Sequence, residues 1–289
     1  MLKALGTFLS NLQKSLGSSI KIMILSKPQF SIKPRKREKA FIILGTGPSF
    51  QETLKHDQSA LANNDLIGLN HFAEKEEFVK LKPKYYIVGA PEMWDESLNE
   101  YYTSKGLAFF NALNENTQWP LELFLANDAK KSSRLKIIEN NKNITIHFYN
   151  NTPIEGLDFF SHQLFHLKLG MPRPHNVMIP SIMIGIWLGY KKIVLTGADH
   201  SWHELLRIDS QNKVELDQKH YFDKKENWRT MKYAGKRDRK MHEVFEKWML
   251  AFRGYVDINE YAKKKKVKIY NASYKSYIDA FERKPLTEL

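Results

Sequence analysis

A short apolar segment followed by a glycine-rich turn has residue types and spacing suited to holding a phosphate. Residues 41–44 are apolar, as in a strand buried on both faces, and residues 45–49 (Gly-Thr-Gly-Pro-Ser) follow at once. The glycines permit a tight turn and close approach of a ligand, and Pro48 fits the first residue of a following helix. Because a helix N-terminus presents unpaired N–H groups, we predict a phosphate site here; the alternative is an ordinary strand-to-helix turn. The spacing matches neither the dinucleotide fingerprint nor the Walker loop.

A second polar segment follows an apolar run that we predict to be a strand at residues 192–197. Asp199, His200 and His203 come directly after it. Residues beyond the carboxyl end of a parallel strand commonly face a ligand, although Asp199 is also a suitable helix cap. Two histidines three residues apart would share a metal only with further ligands, and no clear third ligand is visible. We therefore predict no metal site.

These segments belong to an alternation of short apolar runs and helical patterns along the chain. The further predicted strands are residues 65–70, 84–89, 121–125, 144–149 and 267–271. The alternation predicts an α/β protein with a Rossmann-like, doubly wound, mainly parallel sheet, in which ligands bind beyond the carboxyl ends of the strands. Gly45, Asn70 and Gly89 would lie at that edge, although Asn70 is also a good turn residue.

Four helical segments complete the predicted framework. One is expected around residues 132–139, and a second, at residues 182–187, would be capped by Ser181 and end at Gly189. The third begins at residue 241, presents an apolar stripe and ends near Gly254. Asp257 would then cap a separate short helix that leads into four consecutive lysines.

The region between these helices, residues 204–240, is polar, charged and rich in aromatic residues. Loops of this length in compact domains are commonly functional or mobile. We predict a partly ordered lid over the carboxyl edge of the sheet.

The first 38 residues differ from the rest of the chain. Residues 1–25 place apolar side chains at steps of three and four, with lysines interspersed and no acidic residue before Glu38. Gly, Ser, Asn and Gln interrupt the pattern too often for a spanning helix, and no signal peptide is visible. The segment either lies on an anionic membrane surface or packs on the core of the protein. Residues 27–39 are predicted to be a basic linker to a single domain, residues 39–289.

Composition limits the possible functions. The chain has no cysteine, which excludes disulfides and thiolate chemistry. A net charge of +13 favours anionic partners of any kind. Nucleic-acid binding is one alternative, because Tyr221, Trp228 and Tyr233 stand among cations, but no recognised reading motif is present.

Taken together, the motifs resemble one superfamily. They are residues 45–49 after a strand, Asn70 ending the next strand, and Ser181 leading through residues 188–193 to Thr196-Gly197-Ala198-Asp199. In this order and spacing the chain resembles the bacterial sialyltransferases of glycosyltransferase family 42. Their relatives include motility-associated factor glycosyltransferases and an archaeal 6-hydroxymethylpterin diphosphokinase. The similarity covers about residues 40–275.

The resemblance implies a glycosyltransferase of the GT-A-variant sialyltransferase type. Such an enzyme transfers an acidic sugar (sialic acid, another nonulosonic acid or Kdo) from CMP to a hydroxyl of a surface glycan or glycolipid. It inverts the anomeric centre and needs neither a metal nor a cofactor. With the cationic N-terminus, this predicts a cytoplasmic protein bound peripherally to the inner face of the cytoplasmic membrane. The enzymatic alternative is a pterin diphosphokinase that uses Mg-ATP.

The resemblance also implies roles for individual residues. The implied nucleotide-binding set is Gly45, Thr46, Gly47, Pro48, Ser49, Asn70, Ser181, Gly197 and Asp199. Tyr221 resembles a tyrosine that hydrogen bonds the departing phosphate. The chain departs from the pattern at Thr46 and Ala90, where the family has asparagines, and at Lys224, where it has its catalytic histidine.

Transfer to a hydroxyl needs a general base that is active near neutral pH, and histidine is the natural choice. His220, next to Tyr221 in the predicted lid, is the first candidate, followed by His200 and then His242. The cations Arg229, Lys236 and Arg237 are candidates for holding an acidic donor or acceptor. The chain lacks the Asp-x-Asp motif of metal-dependent sugar transferases.

Overall fold

The computed structural model describes residues 2–28, 34–98, 100–217, 219–222, 225–233 and 237–289. The helices are α1 (Leu2–Leu25), α2 (Phe50–His56), α3 (Gln58–Asn63), α4 (Glu76–Leu81), α5 (Glu100–Asn116), α6 (Asp158–His166), α7 (Met178–Trp187) and α8 (Met241–Lys264). The strands are β1 (Phe41–Leu44), β2 (Asp65–Leu69), β3 (Tyr85–Val88), β4 (Leu121–Ala126), β5 (Ile144–Tyr149), β6 (Lys192–Thr196), β7 (Leu206–Ile208), β8 (Val214–Asp217), β9 (Trp228–Thr230), β10 (Lys232–Tyr233), β11 (Arg237–Asp238), β12 (Lys268–Asn271) and β13 (Glu282–Arg283).

A parallel sheet forms the centre of the fold. Its strand order is β13-β12-β6-β1-β2-β3-β4-β5, and every neighbouring pair runs parallel. The chain builds outward from β1 to β5 and then returns to place β6 on the other side of β1. The direction of winding therefore reverses between β1 and β6, which is the position where open α/β sheets bind ligands. This architecture confirms the predicted doubly wound α/β fold.

Continuous apolar sequence explains the strands at the centre of the sheet. All four residues of β1 and all four of β3 are buried, because helices cover both faces. One of those helices, α7, is apolar on all sides and buried along its whole length. Its chain reversal at Gly189 uses a left-handed φ of +93°, as predicted for the end of this helix.

The start of α7 differs from the prediction. The side chain of Asn176 accepts a hydrogen bond from Met178 N at 2.9 Å and so caps the helix. Ser181 lies inside α7, fully buried, and its hydroxyl donates to Val177 O at 2.7 Å. The predicted cap at Ser181 was therefore wrong, because the helix begins about one turn earlier. Pro180 lies in its first turn, where the missing N–H costs no intrahelical hydrogen bond.

Two other helical predictions are corrected. Where a helix was predicted at residues 132–139, the structure has a short 3₁₀ turn at Ser133–Ile137. This turn places the buried Arg134 guanidinium 2.7 Å from Met93 O. Residues 241–264 form the single helix α8, without a break at Gly254 and without a cap at Asp257. A Cβ on Gly254 would lie 2.8 Å from the Ile179 side chain, so this glycine permits close packing of α8 on α7.

The predicted lid is ordered in the residues described. Strands β7, β8 and β9 form a small antiparallel sheet, and β10 pairs with β11. Its apolar side chains, including Val214 and Leu216, pack on Val244 and Trp248 of α8. Lys224 and Lys236 lie outside the described residues, as do residues 29–33 of the predicted linker.

Candidate functional site

The glycine loop, residues 45–49, contacts the loop that follows β6 directly. Gly45 N donates to Thr196 O and Gly47 N donates to Gly197 O, both at 2.9 Å. A Cβ on Gly47 would lie 2.5 Å from Asp199 Oδ1. The glycines therefore permit contact between two chain segments, which is a different use from the predicted approach of a ligand.

Asp199 joins the same two loops through its side chain. Its carboxylate, 3% exposed, accepts hydrogen bonds from Ser49 N at 2.9 Å and from Ser49 Oγ at 2.6 Å. Burial raises the pKa of Asp199, and the two bonds from Ser49 oppose that rise. Ser49 directly precedes α2, so Asp199, in the loop after β6, fixes the residue at which that helix begins.

These contacts change the expected phosphate site. The N–H groups of Gly47 and Ser49 bond to protein oxygens, and Pro48 has none. Pro48 is also exposed and lies ahead of α2, which begins at Phe50 rather than at the proline. A phosphate at this loop would therefore contact its outer surface, at Thr46, and not a row of unpaired amides.

The predicted lid meets the glycine loop at Thr46. Tyr221 N donates to Thr46 O at 3.0 Å, and Thr46 Oγ1 lies 3.2 Å from His220 Nδ1. Gln51 Nε2 also donates to Tyr221 O. Two predicted catalytic residues and one predicted nucleotide contact are thus brought together by an interaction between residues far apart in sequence.

The side chain of Tyr221 is nevertheless buried and bonded within the protein. Its ring packs edge-on against Phe50, with 5.2 Å between centroids, and its hydroxyl donates to Glu77 Oε2 at 2.9 Å. Burial and then the bond to Glu77 raise its pKa. His220, which is half-buried, stacks on Phe222 at 5.2 Å. Of the pair, His220 is the better placed for proton transfer.

Asn70 connects the ends of β2 and β3. Its backbone is left-handed, with φ of +44°, a conformation that asparagine tolerates better than most residues. Its side-chain oxygen accepts from Gly89 N at 2.9 Å, and its carbonyl accepts from the Tyr86 hydroxyl. Asn70 is half-buried at the carboxyl edge of the sheet, where the sequence placed it.

His200 is unsuited to the role of base. It is buried against Trp202, with 4.2 Å between ring centroids, and its Nε2 lies 2.6 Å from the Tyr255 hydroxyl. That hydroxyl donates to Asn176 Oδ1 at 3.0 Å, so His200 Nε2 carries the proton of the first bond. Burial lowers the pKa of His200 to about 3. An imidazole with that pKa accepts a proton poorly at neutral pH.

The two other histidines considered from the sequence lie elsewhere in the structure. His242 is exposed at the start of α8. His203 packs edge-on against Tyr277, with 4.3 Å between ring centroids. Within the described ranges, no three acidic or histidine side chains come together in a way that would hold a metal ion.

A basic cluster that the sequence analysis missed lies where the loop before α7 meets α8. It consists of Arg173, His175, Arg239 and Lys247. Burial, followed by the charges of Arg173 and Lys247, lowers the pKa of His175 to about 4. Burial and Arg239 likewise lower the pKa of Lys247. Glu155, which bonds to Arg173 at 3.1 Å, offsets part of this repulsion, and a bound anion would offset more of it.

Two buried polar atoms next to this cluster lack a partner. Among the described residues, His175 Nε2 and Asn176 Nδ2 have no hydrogen-bond partner. Buried polar atoms are usually paired, so both are suited to a ligand or water. The cluster combines residues from three separate segments, and no local pattern in the sequence marks it.

The cations proposed from sequence are differently placed. Arg237 makes two hydrogen bonds to Glu243, at 2.6 and 2.9 Å, and is therefore neutralised. Arg229 donates to Asn227 Oδ1 at 3.2 Å and lies 6.0 Å from the centre of the Tyr101 ring.

Comparisons with known proteins give no match in sequence and a distant similarity in structure. No family model matches the chain, and no curated protein sequence does. Among solved structures, the chain is similar to the MAf glycosyltransferase from Magnetospirillum magneticum AMB-1, with 9% identity and a TM-score of 0.48. The match covers 96% of this chain but only 38% of that one, so the chain spans little more than a third of that protein.

Proposed function

We propose that the chain is a glycosyltransferase that moves an acidic sugar from a CMP donor to an acceptor hydroxyl, with inversion and without a metal ion. The observation that carries the proposal is the contact of Thr46 with His220 and Tyr221 at the point where the sheet reverses its winding. It places a histidine beside the strand edge where a nucleotide binds in α/β folds. The motif resemblance supplies the donor class.

The donor phosphate would lie on the outer side of the glycine loop. Thr46 can donate from its hydroxyl, and Asn70 can donate from its amide nitrogen, since its oxygen is bonded to Gly89. Gly47, Ser49, Gly197 and Asp199 would then support the loop rather than touch the nucleotide. Ser181, which is fully buried and donates to Val177 O, would support the start of α7 rather than touch the nucleotide.

His220 would act as the general base. Its imidazole would take the proton of the acceptor hydroxyl as the acceptor oxygen attacks the anomeric carbon. The bond from that carbon to the phosphate oxygen breaks, and CMP leaves with the bonding electrons. Tyr221 would position His220, because its backbone is fixed to Thr46 and its hydroxyl to Glu77.

The basic cluster would hold the acidic group of the sugar. A carboxylate placed beside Arg173 and Lys247 would gain charge-assisted hydrogen bonds from these two cations, and His175, whose pKa of about 4 leaves it neutral near pH 7, could donate a further hydrogen bond. His175 Nε2 and Asn176 Nδ2 would find partners at the same time. This arrangement favours acidic over neutral sugars.

Calorimetric titration with CMP, CDP, UDP, GDP and ATP, each with and without Mg²⁺, tests the proposal. CMP should bind without Mg²⁺ and more tightly than UDP or GDP. Binding of Mg-ATP in preference to CMP would replace the transferase with a pterin diphosphokinase-like activity. Steeply salt-dependent binding to an oligonucleotide, unaffected by CMP, would instead indicate a nucleic-acid-binding protein.

A further inference from the structure

The amphipathic helix α1 contacts the rest of the protein through its polar side. Ser15 and Ser18 are buried against the loop that follows β5. Leu157 N donates to Ser15 Oγ at 2.9 Å, and Ser18 Oγ donates to Glu155 O at 2.8 Å. Gly156, with φ of +130°, packs so closely on Ser15 that a Cβ there would clash with the serine hydroxyl. The serines therefore specify which side of the helix faces inward.

The C-terminal end of α1 is held in the same way. Ser26 Oγ donates to Leu169 O at 2.6 Å. Lys27 and Asn150 exchange two hydrogen bonds, from Lys27 N to Asn150 Oδ1 at 2.8 Å and from Asn150 Nδ2 to Lys27 O at 2.7 Å. Contacts at the middle and at the end of the helix fix its rotation about its own axis.

As a result, the apolar side of α1 faces outward. Its outer stripe consists of Leu5, Phe8, Leu9, Leu12, Leu16, Ile20, Met23 and Ile24, each between 40 and 76% exposed. At 3.6 residues per turn these positions fall on one side of the helix. A continuous row of eight large apolar side chains exceeds the scattered exposure that is normal for a protein surface. The row requires an apolar partner.

The charges around the outer stripe indicate which partner. The first 37 residues contain no Asp or Glu, and Lys14 and Lys21 belong to the same helix. Both lysines lie on the side of α1 opposite the stripe, and Lys21 pairs with Glu155 at 3.8 Å, so attraction to anionic headgroups comes from the positive charge of the chain as a whole while the stripe enters the acyl boundary. A second copy of this chain would instead bring cationic helices together, which like-charge repulsion disfavours. The net charge of +13 likewise disfavours self-association and favours an anionic surface.

We propose that α1 binds in the plane of an anionic lipid bilayer through its outer stripe and so fixes the domain at the membrane surface. Glu155, which bonds to Ser18, also pairs with Lys21 at 3.8 Å and with Arg173 at 3.1 Å. The helix is thereby attached to the loop that carries the basic cluster. Membrane binding holds that edge of the sheet beside the lipid headgroups. Among the described residues, no helix has the length and apolar character needed to cross a bilayer.

Co-sedimentation of the full chain with vesicles tests the proposal. Vesicles of phosphatidylcholine with phosphatidylglycerol are compared with vesicles of phosphatidylcholine alone. The variant Leu9→Gln/Leu16→Gln/Ile20→Gln keeps the charge of α1 and its serine contacts. It should partition onto the anionic vesicles at least about tenfold less than the unaltered chain, because three large side chains no longer enter the apolar layer. Binding to neutral vesicles should be weaker than to anionic ones.

A matched control removes three apolar side chains elsewhere. The variant Val79→Gln/Leu107→Gln/Ile208→Gln alters residues that are 42, 42 and 54% exposed, and it should bind like the unaltered chain. Equal binding by the stripe variant would overturn the proposal. So would sedimentation velocity that shows a dimer dissociated by the stripe changes, without vesicle binding; the partner would then be a second copy. The assay contains no nucleotide, so its outcome is independent of the proposed transfer.

Discussion

Asp199 accepts two hydrogen bonds from Ser49, a residue 150 positions earlier in the chain. The pair joins the loop after β6 to the start of α2 across the point where the sheet reverses its winding. Both side chains are buried. The geometry of the glycine loop therefore depends on a tertiary contact and not on a local cap.

Replacement of Asp199 should destabilise the protein. Asp199→Ala leaves Ser49 N without its acceptor and should lower the free energy of unfolding by about 2 kcal/mol in urea titrations. Asp199→Asn retains one acceptor oxygen and should have a smaller effect. Burial raises the pKa of this carboxyl, so its stabilising contribution is complete below the unfolded pKa, near 4, and is lost as pH rises through the folded pKa. Equal stability of all three proteins would contradict this role.

Stability should also fall in acid because of His200. Burial lowers its pKa to about 3 from 6.5, so the unfolded chain takes up a proton that the folded chain excludes. The contribution is complete above pH 6.5 and is lost as pH falls toward 3, with a slope approaching about 1.4 kcal/mol per pH unit. Denaturation at several pH values measures the slope. His200→Phe should make it shallower, and an unchanged slope would show that His200 titrates normally.

Gly47 packs so closely against the loop after β6 that a larger residue there should destabilise the protein. A Cβ there would lie 2.5 Å from Asp199 Oδ1 and 2.7 Å from Gly197 O, so Gly47→Ala should destabilise by about 2 kcal/mol. The matched control is Gly6→Ala in α1, where no atom lies within 4 Å and alanine favours the helix. Thermal unfolding compares the two. A neutral Gly47→Ala would mean that the two loops separate readily.

Much of the fold follows from sequence because its strands are short apolar runs, and β5 was predicted at its observed bounds, Ile144–Tyr149. Helix ends were harder. Ser181 and Asn176 are both capping residue types, and the path of the preceding loop decides between them. Gly254 was predicted to end a helix, but α8 continues through it, and the glycine instead allows close packing on Ile179.

The candidate site was only partly predictable, for a related reason. Sequence can identify Gly47, Ser49 and Asp199 as unusual, but it cannot show that they bond to one another. Burial, which makes His200 a poor base, is likewise a tertiary property. His175 and Lys247 are far apart in sequence, and only the fold brings them close enough for Lys247 to lower the pKa of His175.

His220 should be required for transfer but not for donor binding. His220→Ala removes the proposed base, so transfer from a CMP-linked acidic sugar should fall by at least about a hundredfold. CMP affinity, measured by calorimetry, should remain within a few-fold. His242→Ala is the matched control, since His242 is exposed at the start of α8, and it should leave turnover unchanged. Retained turnover in His220→Ala would remove the base assignment.

Lys247 should distinguish recognition of the acidic sugar from recognition of its nucleotide. Burial and then Arg173 and Lys247 lower the pKa of His175, so Lys247→Met should raise that pKa, as followed by NMR titration. The same variant should bind a CMP-linked acidic sugar about tenfold more weakly, since one cation is lost, while its affinity for CMP alone stays unchanged. Lys263→Met, at the far end of α8 and paired with Glu260, should change neither quantity. Equal weakening for CMP and for its sugar conjugate would place the nucleotide, rather than the sugar, at the basic cluster.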